Sequence, residues 1–285
     1  MIKDSESIFH EGFLGNYSNS GIVVFGIPYD GTASYRPGSR FAPQAVRSEI
    51  DGIETYSPYL KKDLTDYLIC DSGDMPLNFG NTEDVLESIR TEVEALLDDG
   101  KKTVSIGGEH LVTLPVVEAY LDKYPDLNVI QLDAHADLRD EFIGGKLSHA
   151  TVMRRVFDIL SGKLWQYGIR SGTREEFSFG EQNTKFNPFS LNGMEKMYDE
   201  IGDAPVYLTI DIDVLDPSIM PGTGTPEAGG ISFREMIDGL MSIKNLNIVG
   251  ADIVELSPHY DQSGVSTSVV CKVLREVLLL MAGED

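Results

Sequence analysis

Short runs rich in β-branched and aromatic residues alternate along this chain with segments of helical period. Runs at 22–27 (IVVFGI), 67–70, 103–106 (TVSI), 129–132 (VIQL), 164–169 (LWQYGI), 206–210 (VYLTI) and 248–254 predict strands. Several are apolar at nearly every position, as expected of strands buried on both faces of a parallel sheet. Between them, Val85, Leu86, Ile89, Val93, Leu96 and Leu97 recur on one helical face, with Asn81 placed to cap the start and Gly100 to end it. Segments 111–123, 150–160, 233–243 and 265–280 also read as helices. Strand, helix and strand repeated in this way predict a three-layer α/β fold. No internal repeat or linker divides the chain, so residues 1–285 read as a single domain.

The 285 residues are enough for one large domain or two small ones, and 41% hydrophobic content is that of an ordinary globular protein. The longest apolar runs, such as that from Val277 to Met281, fall far short of a membrane span. Segment 1–10 is polar and does not read as a signal peptide. Cys70 and Cys271 are too few for a disulfide framework, so a cytoplasmic location is expected. A net charge of -23 argues against nucleic-acid or anionic-membrane partners, which need a concentrated positive field. The same field favours a cationic substrate, although most of the charge reads as a solvated surface.

The distribution of acidic residues and histidines is more informative. VIQL runs into Asp133-Ala134-His135-Ala136-Asp137, VYLTI into Asp211-Ile212-Asp213, and TVSI through Gly107-Gly108-Glu109 into His110. The last apolar run leads into Glu255. Carboxyl ends of strands line the ligand crevice of an open parallel sheet, so separate segments deliver these groups to one edge. Alternation in an extended strand end lets D-x-H-x-D converge on a point, and D-x-D does the same from another strand. Four carboxylates with two divalent ions and a hydroxide carry about one negative charge, which suits a cationic substrate.

Each fragment alone has a plainer reading. Asp is common after strands for turns and caps, and an isolated His110 reads as a core or capping residue. Together they point to a metal site of His110, Asp133, His135, Asp137, Asp211 and Asp213. Carboxylate-rich coordination suits Mn²⁺, while imidazole also admits Fe, Co, Ni or Zn. A metal phosphoesterase would want basic residues or a glycine-rich amide cradle, and no basic cluster accompanies the motifs.

In these motifs the chain resembles the ureohydrolase (arginase/agmatinase) superfamily. GGEH (107–110), DAHADLRD (133–140), SHAT (148–151), TIDIDVLDPSIMPGTGTPEAGG (209–230) and VELSPHYD (254–261) occur in family order, as does PYDGTASYRPGSRFAPQAVR (28–47), a turn-rich loop followed by a helix. The resemblance implies an α/β/α sandwich with a mainly parallel sheet, two Mn²⁺ ions, a homo-oligomer (trimer or hexamer), and hydrolysis of a guanidino group to urea and an amine.

Carried over by motif, one metal resembles that bound by His110, Asp133, Asp137 and Asp211, and the other that bound by Asp133, His135, Asp211 and Asp213. A bridging water is then the nucleophile. His149 matches the proton-shuttling histidine, and Glu255 the carboxylate that orients the guanidinium. Asp137 is counted with these two as a catalytic candidate. A non-catalytic metal protein is disfavoured because the metals need neither His149 nor Glu255. Glu109 reads as support for either the metals or an ion pair, His259 as a residue of the site's mouth or of a structural loop, and His10 is given no role.

The segment after D-x-H-x-D reads LRDEFIGGKLSHA, poor in the hydroxyl and amide residues with which arginases hold an α-carboxylate. Arg170-Ser171-Gly172-Thr173 stands where arginases tend to carry Asp, and VELSPHYD looks more like the agmatinase version. Agmatine, cleaved to urea and putrescine, is the expected small cationic substrate. Arg139 keeps a guanidino acid such as guanidinobutyrate or guanidinopropionate open, with arginine and formiminoglutamate as further alternatives.

Overall fold

The computed structural model describes residue 8, residues 10–78 and residues 80–283. Most of the polar segment 1–10 therefore lies outside the described residues. Elements follow in the order β1 (Ile22–Gly26), α1 (Ala42–Glu49), β2 (Tyr56–Ser57), β3 (Lys62–Asp63), β4 (Ile69–Asp74), α2 (Thr82–Asp98), β5 (Lys102–Ile106), α3 (Thr113–Lys123) and β6 (Asn128–Leu132). Then come α4 (Val152–Ile159), β7 (Leu164–Ile169), α5 (Arg174–Asn183), β8 (Lys185–Pro188), α6 (Met197–Ile201), β9 (Pro205–Asp211), α7 (Phe233–Ser242), β10 (Asn247–Val254) and α8 (Val265–Met281).

Eight strands form one sheet in the order β4-β1-β5-β10-β9-β6-β7-β8, and every neighbouring pair is parallel. Side chains of successive strand residues enter opposite layers. Val24, Val104, Ile130 and Leu208 join a core with α1, α6, α7 and α8. Val23, Phe25, Val129 and Tyr207 join a second core with α2, α3 and α4. This is the expected three-layer α/β/α arrangement. Residues 56–63 add a separate two-stranded antiparallel pair, β2 with β3. No helix among the described residues is long and apolar enough to cross a membrane.

Local signals act as the sequence predicts at α2, where the Asn81 side chain accepts a hydrogen bond from Asp84 N at 2.9 Å and Gly100 takes a left-handed φ of 78°. Strand β4 starts two residues later and runs four residues further than the 67–70 run predicts. Its second half, Asp71 to Asp74, is polar because Arg47 neutralises Asp71 and Asp74. Edge strand β8 and helices α5 and α6 carry no expectation from the apolar pattern. All four residues of β8 are only half-buried, and α5 is marked instead by a capping box between Thr173 and Glu176.

The sheet order makes β5, β10, β9 and β6 consecutive neighbours. Their carboxyl ends carry the GGEH, VELSP, D-x-D and D-x-H-x-D motifs, so residues up to 145 positions apart meet at one edge.

Candidate metal centre and active site

His110 opens a short 3-10 turn after β5 and is buried. Its Nδ1 lies 3.0 Å from Asp133 Oδ2, 3.2 Å from Asp137 Oδ2 and 3.6 Å from Asp211 Oδ2. On the far side of Asp133, His135 Nδ1 lies 2.9 Å from Asp213 Oδ2 and 3.7 Å from Asp133 Oδ1. Two ligand clusters result: His110, Asp133 and Asp137, and Asp133, His135 and Asp213. Asp133 belongs to both. All six predicted ligands come together, with Asp211 reaching the first cluster through His110.

The arrangement is built for cations. His110 Nδ1 is buried without a hydrogen-bond partner among the described residues, although three carboxylates surround it. Burial, then Asp213 and Asp133, push the Asp211 carboxyl well above its usual range. Burial and then Asp133 raise Asp137. Buried carboxylates with no cation between them repel, and divalent ions relieve both the repulsion and the desolvation. The residues present therefore fit a pair of metal ions.

Supporting groups orient the ligands. His110 Nε2 pairs with Thr209 Oγ1 at 2.9 Å. Asp213 Oδ1 accepts Ala134 N at 3.1 Å, and Asp211 Oδ1 accepts Asp213 N at 2.9 Å. A row of amides reaches Asp133 from the sheet's edge. Thr184 Oγ1 donates to Gln166 Oε1 (2.9 Å), Gln166 Nε2 to Gln131 Oε1 (2.6 Å) and Gln131 Nε2 to Asp133 Oδ2 (2.7 Å). Gln131 and Gln166 read in the sequence only as strand residues.

Beside the clusters opens a cavity of about 290 Å³, lined by His135, Asp137 and Asp211 together with His149, Glu255, Ser34, Arg139, Phe142, Ser171 and Thr225. His149 begins the turn before α4, and its Nε2 meets Ser34 Oγ at 3.2 Å. Glu109 is fully buried. It accepts Thr32 N and Thr32 Oγ1, both at 2.7 Å, and its Oε2 faces His149 Nδ1 at 3.6 Å. Burial alone would lower the His149 pKa, but Glu109, Asp137 and Glu255 outweigh it and raise it. Glu109 thus supports His149, a role the sequence leaves open, and Ser34 and Thr32 are site residues the sequence does not single out.

Glu255 follows β10 with a left-handed φ of 67°, and Asp137 has φ 51°. Side chains larger than glycine resist this conformation, and two of the five such residues among those described, Asp137 and Glu255, line the cavity. Gly108 permits a related close approach: a Cβ there would stand 1.7 Å from Tyr29 O.

Two other sequence expectations resolve. Arg139 pairs with Glu176 (Nε to Oε2 3.3 Å) and stacks over Phe142 at 4.7 Å, while Asp140 pairs with Arg155 at 2.8 Å. His259 packs its ring on Phe41 at 4.9 Å, beside Gly38, and is absent from the cavity's lining.

A family model described as the arginase family matches residues 20–280. The chain belongs to the arginase family. Relatives of this arginase-family chain include an agmatinase of Bacillus anthracis, 44% identical over 270 residues that cover 93% of each protein. A proclavaminate amidinohydrolase of Streptomyces clavuligerus is 34% identical over 271 residues, covering 90% of this chain and 87% of that protein. The crystal structure of a putative agmatinase from Clostridium difficile superposes with a TM-score of 0.91 at 50% identity, covering 94% of this chain and 99% of that one. With such relatives, this member of the arginase family is a ureohydrolase enzyme, and its two ligand clusters mark a candidate binuclear metal site.

Proposed function

We propose that the chain hydrolyses agmatine to urea and putrescine in the cytoplasm. In this reading residues 1–285 form one domain and hold two Mn²⁺ ions, one at His110, Asp133, Asp137 and Asp211 and the other at Asp133, His135, Asp211 and Asp213. One observation carries the reading: Glu255 and His149 line the same cavity as the two ligand clusters, in a chain 44% identical to an agmatinase over 93% of its length.

When bound, the cations supply Lewis-acid activation of a water molecule near neutral pH. The chain's own residues do the rest. Glu255 receives the guanidinium by charge-assisted hydrogen bonds and turns its carbon toward the clusters. Burial, then the charge of Glu109, raise the Glu255 pKa, and a bound guanidinium favours its ionised form. The carboxylates around His149 favour its protonated form, and it gives a proton from Nε2 to the departing amine. Ser34 meets the ring at Nε2 and Glu109 faces Nδ1. Asp137 bounds the cavity at the first cluster.

A carboxylate-tailed substrate has Arg139 in its favour, since that residue lines the cavity. Its pairing with Glu176 and stacking on Phe142 favour agmatine instead. Urea release from the Mn²⁺-loaded protein across agmatine, guanidinobutyrate, arginine and formiminoglutamate tests the reading. The highest kcat/KM is expected for agmatine, and a higher value for any other member of the panel removes the assignment.

A further inference from the structure

Glu227 sits on the loop that follows Asp213. Arg170 clamps this loop, donating from Nη2 to Glu227 O at 2.8 Å and to Asp213 O at 2.7 Å, and from Nη1 to Val214 O at 3.1 Å. The Glu227 side chain is 43% exposed, and its Oε1 lies 4.0 Å from His135 Nε2. Ser171 Oγ, from the cavity wall, donates to the same oxygen at 2.9 Å. Among the described residues no Lys or Arg pairs with Glu227, and Oε2 has no hydrogen-bond partner. His135 turns its other nitrogen to Asp213, so a single imidazole ring separates Glu227 from the ligand clusters.

The charged side chains that line the cavity away from the ligand clusters, Arg139 and Glu176, are already committed. Arg139 is bound to Glu176 and Phe142. Glu176 also accepts Leu138 N at 3.1 Å and Thr173 N at 2.8 Å. Glu227 is thus a carboxylate on a clamped loop, joined to the cavity wall through Ser171 and His135, with no Lys or Arg paired to it among the described residues.

We propose that Glu227 determines specificity by receiving the far end of the substrate, selecting an alkylguanidine that ends in a primary ammonium over one that ends in a carboxylate. This rests on the guanidino hydrolysis proposed above and names the group that reads the substrate's tail. A tail carboxylate would face Glu227 directly, and Arg139 would have to leave Glu176 to offset it.

The test compares wild type, Glu227→Gln and Glu227→Asp, each loaded with Mn²⁺. Loss of one charge-assisted contact should raise the KM for agmatine about tenfold or more in Glu227→Gln. The expected pattern also has kcat nearly unchanged, unchanged metal content, partial recovery in Glu227→Asp, and no loss with guanidinobutyrate. An unchanged KM overturns the inference. So does a fall in metal content with a matching loss of kcat, which would make Glu227 an anchor for His135. Calorimetric binding of putrescine needs no turnover: weaker binding in Glu227→Gln supports the inference even if wild type releases no urea from agmatine, a result that would overturn only the functional reading. Equal putrescine affinity overturns the inference itself.

Discussion

Glu255 Oε1 accepts the backbone N–H of His110 at 2.9 Å. The carboxylate beyond β10 and the histidine beyond β5 are therefore tied to each other directly. Glu255 N also donates to Gly108 O at 2.9 Å. Two hydrogen bonds thus join the loop that presents a metal-ligand candidate to the loop that presents the guanidinium acceptor.

Glu255→Gln keeps an acceptor for His110 N but removes the charge that meets the guanidinium. The expected loss in kcat/KM for agmatine is on the order of 10²-fold, with metal content near that of wild type. Steady-state urea release beside elemental analysis checks both. Activity within twofold of wild type would show that the substrate is oriented elsewhere.

His149→Asn removes the proton donor and keeps a side chain able to bond Ser34. Turnover should fall by roughly 10²–10⁴-fold, again without loss of metal. Since the carboxylates around it raise the His149 pKa, the wild-type proton donor persists to higher pH than an ordinary imidazole and is lost as pH rises further. A kcat–pH profile whose high-pH fall disappears in His149→Asn confirms the assignment; a profile of unchanged shape removes it.

Asp133 is shared by both ligand clusters, whereas Asp213 belongs to one. Asp133→Ala should therefore deplete both ions on dialysis, and Asp213→Ala should retain close to one per chain. Plasma emission analysis of the dialysed proteins distinguishes these outcomes. Equal retention in the two variants would contradict the shared position of Asp133.

Acid should weaken the fold through two surface aspartates. Asp216 is held down to about 2 by hydrogen bonds from Ser218 and from Gly229 and Gly230 N. Burial opposes the shift at Asp261, yet bonds from Ser263 and Ser266 also hold it at about 2. Both folded-state values lie below the ordinary 3.8. Their contribution is thus complete above about pH 4 and is lost as pH falls through about 2. Urea midpoints measured from pH 5 to pH 2 should drop more gently in Asp261→Asn than in wild type, and identical slopes would remove Asp261 from the account.

The sequence was most readable where a side chain's chemistry and its place on a strand coincide. VIQL leading into Asp133 and VYLTI leading into Asp211 announce both a buried strand and a ligand at its end, and β6 and β9 are neighbours as that reading requires. The strands that carry Lys185–Pro188 and Asp71–Asp74 were harder, because an edge position and a salt-bridged pair replace apolar alternation. Glu109, Thr32 and Ser34 escaped assignment for another reason. Their roles arise from contacts with His149 across more than thirty positions of chain, at His149 N to Thr32 Oγ1 (3.2 Å) and His149 Nε2 to Ser34 Oγ (3.2 Å). No local spacing encodes such a contact. The pairing of Arg139 with Glu176 was hidden likewise, since Asp140 is the nearer acid in sequence.

The amides between Thr184 and Asp133 have a consequence for the ligand's protonation. Gln166 and Gln131 each accept from the outer neighbour and donate inward, so the row has a polarity that runs from the sheet's edge to the metal site. It terminates on Asp133 Oδ2 as an acceptor, and a proton on that oxygen would meet the Gln131 N–H head-on. Reversing the Gln131 amide would set two donors face to face toward Gln166 and two acceptors face to face toward Asp133. A residue at the rim of the sheet, Thr184, therefore helps keep the ligand shared by both clusters in its anionic form.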